Sequence, residues 1–344
     1  MDAMVAETAA HGFRNAEKDT NFVETIYFGG GTPSLLVRKD LDKLLNAVHQ
    51  YFTVSPSAEI TLEANPDDIN STALYEWKSV GINRLSIGVQ SFMEEDLRWM
   101  NRVHNASQAL HSIMEARDAG FENYSVDLIF GTPTLSDKNW KKNVETLIKI
   151  KVPHVAAYSL TVEPSTALQR LILQNKKENV DPEKQASQYH MLMDWMLENG
   201  YQHYEISNFC KPGKYSRHNS SYWRGIPYIG IGPSAHSFDG KKRSWNISNN
   251  ALYIKMEKNG IPFEEEILTA TQQLNEYIMI SLRTMEGLDL ALVRKRFGKP
   301  YADKLLESSL IFEKRYHLTR QNNRLILTNS GKLYADAIAA GLFF

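Results

Sequence analysis

The sequence predicts an α/β fold, a partial (β/α) barrel of parallel strands with its functional groups gathered along one rim. Three observations point there. Short apolar runs alternate with stretches of helical period through the first two thirds of the chain. Glycine closes several of the helical stretches, at Gly81, Gly120 and Gly200. Polar residues recur at the ends of the apolar runs.

A helical stretch, Ala3–Gly12, comes first. Strands are then expected at Thr25–Phe28, Glu59–Glu63, Arg84–Val89, Tyr124–Phe130 and His154–Thr161. Helices between them are expected at Leu41–Phe52, Ser71–Val80, Ser107–Ala119 and Asn139–Lys149, with apolar residues at steps of three and four, as at Leu41, Leu44, Leu45 and Val48. Right-handed crossovers wind such βαβ units into either a doubly wound sheet or a barrel. A doubly wound sheet concentrates its ligand residues near one switch point. Here every strand ends in a polar or turn group: Gly29 to Thr32, Glu63, Gln90 with Ser91, Asp127 ahead of Gly131-Thr132-Pro133, and Glu163. That spread favours the open or partial barrel.

From Ser207 the alternation fades, and residues 208–250 read as loops across a barrel face. From Thr269 a second organisation begins, with helices at Gln272–Arg283, Asp289–Phe297 and Tyr301–Ser308, strands at Leu318–Arg320 and Arg324–Leu327, and a helix at Ser330–Ala340. Three helices, a hairpin and a further helix resemble a winged-helix module. The expected domains are therefore residues 1–250, the barrel with its covering loops, and 265–344, the winged-helix-like part.

A length of 344 residues suits about two domains. A net charge of −1 argues against a strongly electrostatic nucleic-acid binder, so no nucleic-acid partner is expected. Arg294, Lys295, Arg296, Lys314, Arg315 and Arg320 offer a basic surface to such a partner, but read more simply as a solvated helical face. No apolar run approaches the ~20 residues that span a bilayer, and the polar, mixed-charge segment from Met1 to Asn21 is neither a signal peptide nor an anchor. A cytoplasmic protein is expected. One cysteine, Cys210, excludes an intrachain disulfide framework and reads as a buried small hydrophobe.

The run Gly29-Gly30-Gly31-Thr32-Pro33 follows the first strand. Glycine tolerates positive φ and lets a ligand approach the backbone closely. The run is neither a P-loop, since Lys-Ser/Thr does not follow, nor a dinucleotide fingerprint. Tyr27-Phe28-Gly29-Gly30-Gly31-Thr32-Pro33-Ser34 resembles the S-adenosyl-L-methionine (SAM) turn of the oxygen-independent coproporphyrinogen III oxidase family of radical SAM proteins. Glu63-Ala64-Asn65-Pro66, Ser86 to Phe92, Arg102-Val103-His104 and Asp127 to Gly131 match the same family in order and spacing. The resemblance runs from about Thr25 to the C-terminus, and is closest to the haem-chaperone (HemW) branch.

The resemblance implies a partial TIM-like barrel of the radical SAM type and a SAM site. Gly30, Gly31 and Thr32 would bind the methionyl amino group, with Glu63, Gln90, Arg102 and Asp127 completing the set. SAM carries an ammonium, a carboxylate, a sulfonium and ribose hydroxyls, and acids, an amide and a guanidinium match them. Arg217-His218-Asn219-Ser220-Ser221-Tyr222-Trp223 resembles the HNxxYW motif of the haem-chaperone branch. It implies His218 as an axial ligand to haem, with Tyr222 and Trp223 covering the macrocycle. His236, in the nearby Gly230–Ser237 stretch, reads as structural.

The family holds a [4Fe–4S] cluster with a CxxxCxxC loop that precedes the glycine turn. No such cysteines stand in this sequence, and Ala3–Gly12 matches the helix that follows that loop. The cluster and the first barrel strand are thus expected only in a longer form, the Thr25–Phe28 strand is expected to be an unpaired, association-prone edge, and this chain is not expected to cleave SAM reductively. The implied partners are haem or a porphyrin and a haem-acceptor protein, membrane-associated acceptors included. The competing function is radical SAM decarboxylation of coproporphyrinogen III.

Overall fold

The computed structural model describes residues 1–16, 21–255 and 263–344. In chain order its elements are α1 (Asp2–Ala16), β1 (Phe22–Phe28), α2 (Arg38–Tyr51), β2 (Thr53–Ala64), α3 (Ser71–Ser79), β3 (Arg84–Gln90), α4 (Glu94–Trp99), α5 (Ala106–Asp118), β4 (Tyr124–Phe130), α6 (Asp137–Lys149), β5 (His154–Ser159), α7 (Ala167–Leu173), α8 (Pro182–Glu198), β6 (Gln202–Glu205) and β7 (Asn208–Cys210). The chain continues through α9 (Arg217–Trp223), β8 (His236–Phe238), β9 (Lys242–Asn246), α10 (Asn250–Lys255), β10 (Phe263–Ile267), α11 (Ala270–Leu282), β11 (Leu288–Asp289), α12 (Leu290–Phe297), α13 (Lys299–Lys314), β12 (Leu318–Gln321), β13 (Arg324–Leu327), α14 (Asn329–Lys332) and α15 (Ala335–Gly341). Part of the expected boundary between residues 250 and 265 lies outside the described residues.

A curled seven-stranded half-barrel sheet carries the order β1-β2-β3-β4-β5-β7-β6. β2 to β5 pair in parallel, as the alternation predicts, and β5, β7 and β6 pair antiparallel. β1 stands at one margin of the sheet. The two faces separate by chemistry. Leu62, Leu85, Ile87, Val126, Leu128, Val155 and Phe209 occupy one face, all at 0% exposure. At ~1.5–3 kcal/mol for each buried large apolar side chain, this face is the main stabilising element of the layer. Register puts Glu63 opposite Ser86, Ser86 opposite Ser125, and Ser125 opposite His154. Side chains alternate along a strand, so Thr61, Glu63, Arg84, Ser86, Ser125, Asp127, His154 and Cys210 all lie on the other face. That face is polar, and much of it is buried.

Two compact units divide the chain: Met1–Ile26, Leu36–Glu59 and Ser216–Phe344 form one, and Tyr27–Leu35 with Ile60–Tyr215 the other. In the first, β8 and β9, within the 208–250 stretch expected to be loops, form an antiparallel sheet with β10. The C-terminal elements run α11-β11-α12-α13-β12-β13, with sheet order β11-β13-β12, the winged-helix arrangement. The expected last helix breaks into α14 and α15 around Leu333 and Tyr334.

Candidate functional site

The glycine turn leaves β1 with Gly30 at φ 77° and Gly31 at φ 62°, the left-handed region where a side chain is strained. A Cβ on either residue would meet nothing within 4 Å, so the turn presents bare backbone to open space. Glu63 reaches back to it from the end of β2. Its Oε2 accepts from the Gly30 amide at 3.3 Å, and its Oε1 accepts from the Tyr27 hydroxyl at 2.7 Å. Burial and the Glu63 charge raise the Tyr27 pKa, so the phenol stays a donor. Below the turn, Ser34 donates to Asp68 at 2.6 Å and accepts weakly from the Asn65 amide at 3.5 Å, tying the turn to the loop after β2.

Asp127 lies on the polar sheet face two strands from Glu63. Ser86 Oγ contacts both its carboxylate oxygens at 3.3 Å. Burial, reinforced by the Glu63 charge, pushes the Asp127 pKa up to about 7, while Arg84 and Ser86 oppose the shift. A cation beside Asp127 would favour its ionised form. Deeper on the same face, Arg84 donates to Ser125 Oγ at 3.4 Å. His154 Nε2 meets the Tyr204 hydroxyl at 2.7 Å, and its Nδ1 is buried without a partner among the described residues. Burial and the Arg84 charge keep that imidazole neutral.

Gln90 ends β3 at φ 67°, where the β3–β4 register shifts. This is a rare conformation for a side chain with a Cβ, and such strain gathers at functional positions. Gly88 makes room beside it: a Cβ there would stand 3.1 Å from Gln90 Nε2 and 3.6 Å from Arg102 Nη2. Arg102 Nη2 donates to Asn65 Oδ1 at 2.9 Å and to the Gly88 carbonyl at 3.2 Å, while its Nε is buried without a partner among the described residues. Gly30, Gly31, Thr32, Glu63, Gln90, Arg102 and Asp127 all belong to one compact unit: the glycine turn follows β1, Glu63 and Gln90 lie at the carboxyl ends of β2 and β3, Asp127 sits mid-way along β4, and Arg102 comes from the loop between α4 and α5. Sequence reasoning missed Tyr27, Asn65 and Ser86 as members of this constellation. Their signal was proximity to the motifs, which says nothing about hydrogen bonding.

In the other unit, α9 carries the second group. Ser216 caps it by accepting from the Asn219 amide, and Glu59 at the middle of β2 accepts from the Arg217 amide at 3.1 Å and the His218 amide at 2.9 Å. The His218 ring is held on both sides. Nδ1 meets Thr25 Oγ1 at 2.8 Å, and Nε2 meets the Tyr222 hydroxyl at 3.1 Å. Tyr222 packs edge-on to Tyr228, with ring centroids 4.7 Å apart. Trp223 points elsewhere on the helix, its ring under the Arg283 guanidinium at 5.0 Å. The structure thus brings His218 and Tyr222 together and leaves Trp223 on a different face. His236 is exposed and stacks on Trp245.

The model of the Radical SAM superfamily matches residues 1–147, and that of the HemN C-terminal domain matches residues 268–334. Heme chaperone HemW of Mycobacterium tuberculosis is 35% identical over 335 residues, covering 95% of this chain and 82% of that protein. This chain belongs to the HemW family of radical SAM proteins. Heme chaperone HemW of Bacillus subtilis is 34% identical over 324 residues, covering 92% of this chain and 84% of its own length. Among solved structures, coproporphyrinogen III oxidase of Escherichia coli superposes with a TM-score of 0.83 at 20% identity, covering 99% of this chain and 82% of that one, which is a likeness of fold.

Radical SAM membership implies SAM and a [4Fe–4S] cluster, and the residues present answer differently for the two. The bare glycine turn, the Glu63–Asp127 pair and the Arg102 Nε fit a zwitterionic, sulfonium-bearing nucleoside. The cluster does not fit these residues. Cys210 is the one cysteine in the sequence, it is buried at 0% exposure, and burial pushes its thiol pKa up to about 12. Among the described residues no group of three or more His, Cys, Asp or Glu side chains is disposed to hold a metal.

Proposed function

We propose that this protein is a haem chaperone, which binds haem through His218 and passes it to an acceptor protein. The observation that carries the reading is the His218 ring on α9, held at both nitrogens in an HNxxYW segment, in a chain 35% identical to a named haem chaperone over 95% of its length. Imidazole is a good axial ligand to haem iron, and the Tyr222 ring gives the porphyrin an aromatic neighbour. SAM is the second ligand, held by Gly30, Gly31, Thr32, Glu63, Gln90, Arg102 and Asp127. It supplies a methionine-bearing sulfonium, while the chain supplies the acids and the guanidinium that orient it. No helix among the described residues is long and apolar enough to cross a membrane. We place the protein in the cytoplasm, with membrane-associated haem proteins among its acceptors.

Titration of the purified chain with hemin tests the reading. A saturable Soret band is expected, and His218→Ala should weaken binding at least ten-fold and shift the band. Equal binding by His218→Ala removes His218 as the ligand, and no saturable binding by the wild-type chain removes the chaperone function.

A further inference from the structure

The hydrogen bonds around His218 distinguish its two ring nitrogens. Tyr222 lies one helical turn along α9, with its hydroxyl 3.1 Å from Nε2. Where that hydroxyl donates, Nε2 is the acceptor. A neutral imidazole that accepts at Nε2 carries its proton on Nδ1. Nδ1 then donates to Thr25 Oγ1 at 2.8 Å, since a hydroxyl oxygen can accept. In this tautomer Thr25 on β1 accepts from Nδ1 and leaves the lone pair on Nε2, and Glu59 holds the backbone of the helix that carries the ring. The same lone pair is what iron needs, and Tyr222 already engages it.

We infer that Nε2 of His218 is the iron-binding atom, that Thr25 is its positioning residue, and that the Tyr222 hydroxyl is a built-in competitor that leaves Nε2 when haem binds and reclaims it when haem departs. The inference rests on the haem-chaperone reading above. On binding, the phenol's hydrogen bond to Nε2 breaks and the Nε2–iron bond forms, with no change of proton count or redox state. On transfer, Tyr222 restores the imidazole's partner as the iron goes. The free state is stabilised, so haem is held less tightly than by an uncontested histidine. That suits a protein that must give its cargo away.

Hemin titrations and haem transfer to apomyoglobin, run on the full chain and its variants, test this. Tyr222→Phe keeps the ring and removes the competitor. It should bind hemin about five-fold more tightly and lose it to apomyoglobin correspondingly more slowly, the worth of one net hydrogen bond. Thr25→Val should bind several-fold more weakly, with a larger high-spin fraction in the ferric spectrum. Thr25→Ser, which keeps the hydroxyl, should restore both readouts. Tyr222→Leu removes the ring as well as the hydroxyl and should bind hemin more weakly than Tyr222→Phe, which separates the ring's contact from the hydroxyl's competition. Unchanged or weaker binding by Tyr222→Phe overturns the competitor role. A Thr25→Val protein with wild-type affinity and spectrum overturns the positioning role. In either case, loss of binding in His218→Ala would leave the chaperone reading standing, whereas wild-type binding by His218→Ala would remove His218 as the ligand, and no hemin binding by the wild-type chain would fell that reading itself.

Discussion

The carboxyl of Asp127 sits on the polar face of the sheet with Ser86 as its donor and Glu63 two strands away, and its pKa stands near 7 against an ordinary 3.8. The folded protein therefore holds a proton there that the unfolded chain releases above about pH 4. The stability tied to that proton is fully present below about pH 4 and is lost as pH rises through about 7. Asp127→Asn removes this titration. In calorimetric melts without ligand, the wild type should lose stability relative to Asp127→Asn between about pH 4 and 7, so that above pH 7 the Asn variant is the more stable by a few kcal/mol at most. Parallel pH profiles would show that Asp127 does not carry the shift. The identities of Glu63, Gln90, Arg102 and Asp127 were legible because each lies in a family-like motif, Glu63 and Gln90 at strand ends, Asp127 within β4 and Arg102 in the loop between α4 and α5. Their couplings were not. Nothing in the residue order says that Gln90 must take a positive φ, that Gly88 leaves room for the Gln90 amide, or that Tyr27 donates to Glu63.

At the scale of elements, the parallel strands were readable because one face of each is continuously apolar, and β4 falls on Tyr124–Phe130 as expected. β10 escaped for the opposite reason. Phe263 to Ile267 are all exposed, so the segment shows no buried alternation, and it is held by pairing with β9 and by the Lys242–Glu265 and Trp245–Glu264 contacts at 2.7 and 3.1 Å. α9 is another element whose placement depends on distant residues. At seven residues it is too short to be stable by propensity, and its first turn is anchored by Glu59, buried on β2. Glu59→Ala leaves two amides without their charged acceptor and should lower stability by about 2–4 kcal/mol. Because the anchored amides include that of His218, hemin affinity should fall with it. Glu59→Gln retains an acceptor and should recover part of both losses. Chemical denaturation alongside hemin titration checks the pair, and an affinity unchanged in a destabilised Glu59→Ala protein would separate the anchor from the ligand.

Across the whole molecule, the donor inventory divides two chemistries that radical SAM membership would otherwise join. Reductive cleavage of SAM needs an electron relay, and a [4Fe–4S] cluster needs three or four thiolates. These 344 residues hold one thiol, and it is buried with its pKa pushed up to about 12. Haem capture asks for less: one imidazole with an aromatic neighbour, which α9 supplies in His218 and Tyr222 without any cysteine. The two should therefore come apart in this polypeptide. After anaerobic incubation with ferrous iron and sulfide, the 344-residue chain should show no broad cluster absorption and, with dithionite and SAM, no 5′-deoxyadenosine. The same sample should keep its hemin-binding Soret band and bind SAM by calorimetry. Cleavage of SAM by this chain would mean that ligands other than cysteine assemble a cluster here. Absence of hemin binding in the same sample would remove α9 as a self-sufficient haem site and, with it, the chaperone reading.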